Sequence, residues 1–414
     1  MKTTFLKIAL ISLSVLTVTS CSSDNASKDE VIINPPAETD PLTTQNVTTY
    51  MVDASATKET VALFYNLKKL AKTKIAIGQQ DAFNSYYQDN GGDSDIKKNT
   101  GSDPALLGSD FIFITDKNNN NQADNWFYQQ EEKTISDVKA AYAKGMINTF
   151  SWHLREPNNE DSFYAADMTA DQKATAFKSI LPGGTNNEWY KKKLDKVASV
   201  VSNLKGANGE LIPIIFRPFH EFDGSWFWWG ANFCSADDYK KAYQFTVDYL
   251  KNTKGVHNIL YAFSPDNSYT KEADYLSRYP GDKYVDVLGM DNYGDFDNQG
   301  QTGATKANAK LIMIGSLAAN KVKISALTET GYQVSATKPP VTDWFSTYLY
   351  GAISNVQGYD STISISYVMF WNNSKDAYFV PNGSVSNATD FKTFATKPKS
   401  ALLNSLPKMY ELPK

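Results

Sequence analysis

The chain has 414 residues, 42% hydrophobic and 13% aromatic, with 41 basic and 45 acidic residues and a net charge of −4. That length fits a single large α/β barrel. The balanced charge excludes a nucleic-acid partner, because a phosphate-binding surface needs a basic stripe that this sequence lacks. Ring content is the less common feature (Trp 8, Tyr 24, Phe 22). Most rings serve a core, but tryptophans clustered in loops can stack on the apolar faces of sugars.

At the start of the chain, Lys2 and Lys7 flank an apolar run from Ile8 to Val18, followed by Thr19-Ser20-Cys21. A charged start, a short apolar stretch and small residues before a cleavage point predict a signal peptide over 1–20. The run is too short to remain as a spanning helix. Cys21 directly after the small residues resembles a bacterial lipobox. That implies acylation of Cys21 and a lipid anchor at the outer membrane, on its surface or its periplasmic face. Cys234 then has no partner, so no intramolecular disulfide is expected in the mature chain, and Cys234 reads as structural. Residues 21–44 are rich in Ser, Asp, Asn, Thr and Pro and predict a flexible tether. One domain is expected over 45–414.

Within it, strands are predicted at 74–79, 106–111, 146–153, 212–219, 258–264, 285–290, 323–328 and 365–371. Continuous apolar runs such as Ile212-Pro213-Ile214-Ile215-Phe216 suit parallel strands buried on both faces. Amphipathic segments lie between them, for example Ile135–Lys144 closed by Gly145. Eight strands alternating with helices predict a (β/α)8 TIM barrel.

In such a barrel, function gathers at the C-terminal ends of the strands. The first ends in Gly78-Gln79-Gln80-Asp81 and the third in Ser151-Trp152-His153. The fourth ends in Arg217-Pro218-Phe219-His220-Glu221. The sixth gives Met290-Asp291-Asn292-Tyr293, the seventh Thr328-Glu329-Thr330-Gly331 and the eighth Phe370-Trp371-Asn372. Two of these ends carry a glutamate directly after apolar strand. A glycosidase needs such a pair, one protonated to serve the leaving oxygen and one ionised to attack the anomeric carbon.

The stretch from Arg217 to Gly230, Arg-Pro-Phe-His-Glu-Phe-Asp-Gly-Ser-Trp-Phe-Trp-Trp-Gly, resembles the acid/base motif of glycoside hydrolase family 26, the β-mannanase family. Ser151-Trp152-His153 and Thr328-Glu329-Thr330-Gly331 resemble two further motifs of that family, in the same order. The resemblance implies Glu221 as general acid/base and Glu329 as nucleophile of a retaining endo-β-1,4-mannanase. It also implies substrate contacts from His153, His220, Trp226 and Trp371, with Arg217 and Tyr293 holding Glu329. The wall Trp226-Phe227-Trp228-Trp229 is expected to desolvate Glu221, although Trp228 and Trp229 also suit an interior position. Trp152 and His257 read as structural, and Asp291 and Asn292 as neighbours that orient Tyr293.

The chain departs from the family pattern at Gln79 and Gln80, at Arg155 and at Asn372, on the non-reducing side of the expected cleft. Those departures leave open β-1,3-xylan or mixed-linkage glucan as the polymer, or glycan binding without turnover. No histidine pair has metal-ligand spacing and the mechanism requires no metal or cofactor. The expected partner is a polysaccharide and the expected state a monomer.

Overall fold

The computed structural model describes residues 41–83, 92–354 and 363–414. The predicted signal peptide, Cys21 and nearly all of the predicted tether lie outside them. Residues 41–414 form one compact unit. It starts a few residues before the predicted boundary, because Leu42 and Val47 are buried against the helix Lys58–Leu70.

Eight parallel strands close into a barrel: β1 (Ile75–Gln80), β2 (Leu106–Asp110), β3 (Ile147–Ser151), β4 (Ile214–Arg217), β5 (Ile259–Phe263), β6 (Val287–Asn292), β7 (Ile324–Thr330) and β8 (Tyr367–Phe370). Each pairs with the next, and β8 returns to β1 through Ala76↔Tyr367 and Gln79↔Phe370. All eight fall where the sequence predicts a strand. Their ends move: β3 and β4 stop earlier, while β6 and β7 run on to Asn292 and Thr330. The two-residue strand Ser400–Ala401 adds to β1 from outside, and Val334–Ser335 pairs antiparallel with Ala377–Tyr378.

Side chains alternate between two layers, as the period of a strand requires. One buried cluster takes at least one residue from every barrel strand, among them Ala76, Leu106, Ile147, Ile215, Leu260, Val287, Ile324 and Tyr367. It also takes Leu63, Phe64 and Leu67 of the helix Lys58–Leu70. That helix touches both β5 and β7, which are not neighbours, so it lies across the N-terminal mouth of the barrel. The strand residues of this cluster are therefore the barrel interior. Their neighbours of opposite parity, such as Ile77, Phe150, Phe216, Tyr261, Leu288 and Val368, pack in a second cluster with the surrounding helices. The interior is tight near its midplane. A Cβ on Gly78 would come within 2.2 Å of Met369 Sδ and 2.7 Å of Leu106 Cβ.

The helix expected at Ile135–Lys144 spans Trp126–Lys144. Asn125 starts it by accepting a hydrogen bond from the backbone N–H of Tyr128, and Gly145 ends it in the left-handed region at φ 90°. No helix among the described residues is long and apolar enough to cross a membrane.

Candidate active site

Carrying the interior parity to the C-terminal end of each strand predicts which side chains enter the open mouth. Residues 80, 110, 153, 217, 291 and 371 share the parity of 76, 106, 147, 215, 287 and 367. They are Gln80, Asp110, His153, Arg217, Asp291 and Trp371. Glu329 does not share it, since the interior residues of β7 are Ile324 and Ala326.

A β-bulge corrects this. Met290 pairs with Leu327, but the next residue, Asp291, pairs with Glu329. On the other edge Leu327 pairs with Val368 and Thr330 with Phe370. Thr328 is thus an extra residue, and both Thr328 and Glu329 turn inward between two outward-facing neighbours. The carboxyl of Glu221 reaches the same place from the loop after β4. There Phe219 and Glu221 both take left-handed backbone, at φ 53° and 52°. Such conformations cost free energy in non-glycine residues and persist only when the surroundings impose them. Glu221 is tied by its N–H to the carbonyl of Ser264 at 2.9 Å, and its own carbonyl accepts from Gly224 at 3.1 Å.

Oxygens of Glu221, Asp291 and Glu329 lie within 4.8 Å of one another. Arg217, itself 3% exposed, joins two of the three. Its Nη1 donates to both Asp291 oxygens at 2.7 and 2.8 Å and to Ser264 Oγ at 3.0 Å, and its Nη2 donates to Glu329 Oε1. Burial works against the guanidinium charge, but Asp291 and Glu329 outweigh it and hold Arg217 protonated. Tyr293 Oη donates to Glu329 Oε2 at 3.0 Å. Burial, with Glu329 and Glu221 nearby, keeps that phenol protonated. Thr328 Oγ1 donates to Asp291 at 2.6 Å.

Glu221 has no cation among these contacts. Its Oε2 accepts from the indole N–H of Trp226 at 2.7 Å. Burial, then the negative charges of Glu329, Asp291 and Asp266, push its carboxyl well above the usual range. Of the aromatic wall expected to desolvate Glu221, only Trp226 bonds to it. Phe227 lines the same cleft, whereas Trp228 and Trp229 are fully buried and donate to the carbonyls of Leu154 and His220, both at 2.7 Å. Trp152 is also buried, with its indole on Thr115 Oγ1 at 2.9 Å.

The cleft has a volume of about 540 Å³ and is lined by Glu221, Glu329, His153, Trp226, Tyr293 and Trp371, together with Tyr164, Asp266, Asn267 and Phe379. Arg217 lies beneath the carboxylates, not on the cleft wall, with its Nη2 on Glu329. One expected substrate contact is corrected here. His220 is 1% exposed and lies behind His153, its Nε2 3.3 Å from His153 Nε2. Burial, then His153 and Arg217, hold His220 neutral. His153 Nδ1 sits 2.5 Å from Asp110 Oδ2. Burial opposes the charge on Asp110, but His153 and Ser151 outweigh it and keep the carboxyl below its ordinary range.

Asp110 and Asp266 stand at the ends of β2 and β5, outside the six strand ends named from the sequence. Gly108-Ser109-Asp110 and Ser264-Pro265-Asp266 carry the same signal as the other six. Burial beside Asp223 pushes Asp266 up to about 7. Of the departures from the family pattern, Gln80 and Asn372 line an adjoining cavity. Gln79 is buried, and Arg155 pairs with Asp116 at 2.5 Å. His257 meets Asp53 at 2.7 Å, and the half-buried Cys234 donates to the carbonyl of Trp229 at 3.3 Å. Both have the structural surroundings expected of them.

Residues 52–347 match the sequence profile of Glycosyl hydrolase family 26. The chain is 35% identical over 375 residues to a mannan endo-1,4-beta-mannosidase of Bifidobacterium adolescentis, covering 84% of this chain but 35% of that protein. It is 52% identical to the solved structure of GH26C from Muricauda sp. MAR_2010_75, with a TM-score of 0.88, 90% of this chain and 99% of that one covered. A GH26 beta-mannanase from Bacteroides ovatus is 31% identical, with a TM-score of 0.75 over 86% of this chain and 98% of that one. The chain thus spans about a third of the Bifidobacterium protein and nearly the whole of both solved structures. The barrel, its carboxylates and these matches agree: the chain belongs to glycosyl hydrolase family 26.

Proposed function

We propose that the protein is a retaining endo-β-1,4-mannanase in which Glu329 is the nucleophile and Glu221 the acid/base. One observation carries the mechanism. The two carboxyls approach within 4.8 Å, short of the ~6.5–9.5 Å that an inverting enzyme needs to fit a water between them. Their surroundings also divide the labour. Donors from Arg217 and Tyr293 converge on Glu329, the group placed to attack the anomeric carbon, while burial and nearby negative charge keep a proton on Glu221.

In the first step Glu329 bonds to the anomeric carbon as Glu221 protonates the departing glycosidic oxygen. Esterification removes the charge on Glu329, so the Glu221 carboxyl falls in pKa and takes a proton from water. That water attacks the anomeric carbon, the ester bond breaks and Glu329 leaves as carboxylate. The names of the relatives support mannan as the polymer, and a cleft continuing past Trp371 suits cleavage within a chain. We also propose export and acylation at Cys21, on the Ser20-Cys21 pattern and the polar stretch that follows it. The protein would then act as a monomer tethered to the outer membrane.

Purified protein is expected to release oligosaccharides from mannan and galactomannan, with little release from xylan or mixed-linkage glucan. Proton NMR should show the β-anomer first. First appearance of the α-anomer would rule out retention, and preferred release from xylan would rule out mannan.

The raised carboxyl also carries a stability consequence. The folded state binds a proton at Glu221 more tightly than the unfolded chain does. Stability is therefore lost as pH rises from the unfolded pKa, ~4.3, toward the raised folded value. Glu221→Gln should abolish most activity yet stabilise the fold near neutral pH by about 1 kcal/mol. The gap in Tm from wild type should shrink toward pH 4; a constant or reversed gap would contradict the assignment. For the anchor, Cys21→Ser should end incorporation of labelled palmitate and move the protein out of the membrane fraction. Unchanged labelling would refute it.

A further inference from the structure

The loop after β5 runs beside the loop that carries Glu221, and the two are bonded at successive points. The N–H of Glu221 donates to the carbonyl of Ser264 at 2.9 Å. Two residues on in each loop, the N–H of Asp266 donates to Asp223 Oδ1 at 2.6 Å, and the Ser268 hydroxyl donates to Asp223 Oδ2. Lys310 donates to the carbonyl of Asn267 at 2.6 Å, and Asn267 Nδ2 donates to Asn292 Oδ1 at 2.9 Å. The loop after β5 is thus held by Asp223, Lys310 and Asn292.

A loop carboxylate is commonly a solvated charge or a turn cap. Here the cap is Asp223. The Asp266 carboxyl accepts from the N–H of Asn267 and lines the catalytic cleft, half-buried, with Glu221 and Trp226. Nothing in the reaction derived above uses it. Its side of the cleft follows from the chemistry. Glu221 protonates the departing oxygen, so the released sugar lies toward the Glu221 loop and its neighbour, the Asp266 loop. The cleft continues the other way, past Trp371, into a cavity that shares His153 and Tyr164 with it but not Glu221, Trp226 or Asp266. β5 also stands four strands from β1 in the closed barrel, which sets Asp266 and Gln80 at opposite rims. A carboxyl at this place offers strong acceptors to hydroxyls and turns away an acidic sugar.

We propose that Asp266 is a specificity-determining residue for the leaving sugar: its carboxyl hydrogen-bonds the hydroxyls of an uncharged sugar on the Glu221 side of the cut bond. By microscopic reversibility the same contact holds a sugar acceptor that attacks the glycosyl-enzyme in place of water. The acceptor hydroxyl gives its proton to Glu221, its oxygen bonds to the anomeric carbon and the ester bond to Glu329 breaks. The inference rests on the proposed glycosidase reading.

The test supplies nitrophenyl β-mannobioside to wild type, Asp266→Ala and Asp266→Asn, with methyl β-mannoside or methanol as acceptor. It reads the ratio of transfer product to mannobiose. Water and acceptor both need Glu221 as base, so the ratio cancels any change in Glu221 itself. In Asp266→Ala the ratio with methyl β-mannoside should fall about tenfold, as expected for one lost hydrogen bond to a charged group. The ratio with methanol, which has no ring hydroxyls, should stay level. Asp266→Asn, which keeps an acceptor oxygen, should recover most of the loss. An unchanged ratio with the sugar, an equal fall with methanol, or no sugar transfer by wild type would overturn the assignment. If wild type leaves the mannobioside uncut, the mannan reading fails by itself. Asp266 is then decided in the same way with nitrophenyl β-cellobioside and β-xylobioside, each with the methyl glycoside of its own sugar. If wild type cuts none of the three, both readings fall.

Discussion

One guanidinium makes this site possible. Three carboxyls converge at the mouth of the barrel in a largely buried setting, where uncompensated charges would be costly. Arg217 answers two of them, Asp291 through a forked contact and Glu329 through its other nitrogen. The third, Glu221, receives only an indole N–H. The placement of one cation thus separates the two glutamates: Glu329 meets a guanidinium and a phenol, Glu221 only an indole. Asp291 belongs to the arrangement although it does not line the cleft, because it fixes the Arg217 fork from the side away from Glu329.

Two backbone irregularities bring the groups into range. A regular β7 would turn Glu329 toward the surrounding helices. The extra residue at Thr328 turns it into the barrel and sets Thr328 against Asp291. At the end of β4, the left-handed residues Phe219 and Glu221 fold the chain back so that Trp226 reaches the Glu221 carboxyl. This turn is held from behind by Trp228 and Trp229, whose indoles bond to the carbonyls of Leu154 and His220. The aromatic run after Glu221 therefore divides its work: Trp226 and Phe227 face the cleft, and Trp228 and Trp229 anchor the strained backbone.

The strands and most mouth residues were legible in the sequence because continuous apolar runs ending in polar residues are a local signal. The same signal stands at Asp110 and Asp266. What could not be read is direction. His220 precedes Glu221 in sequence and is expected to touch substrate, yet it lies beneath the surface, behind His153. The bulge in β7 depends on pairing with β6 and β8, which no propensity within β7 encodes. The helix start at Trp126 was missed because its signal is the cap at Asn125 and not apolar periodicity.

The most direct test is to trap the covalent intermediate. The protein would be incubated with a mannobiosyl fluoride bearing fluorine in place of the hydroxyl beside the anomeric carbon, then denatured and its peptides mapped by mass. The geometry predicts one sugar adduct, on the peptide carrying Glu329 and on that side chain. An adduct on Glu221 or Asp291, or none while the substrate is steadily consumed, would contradict it.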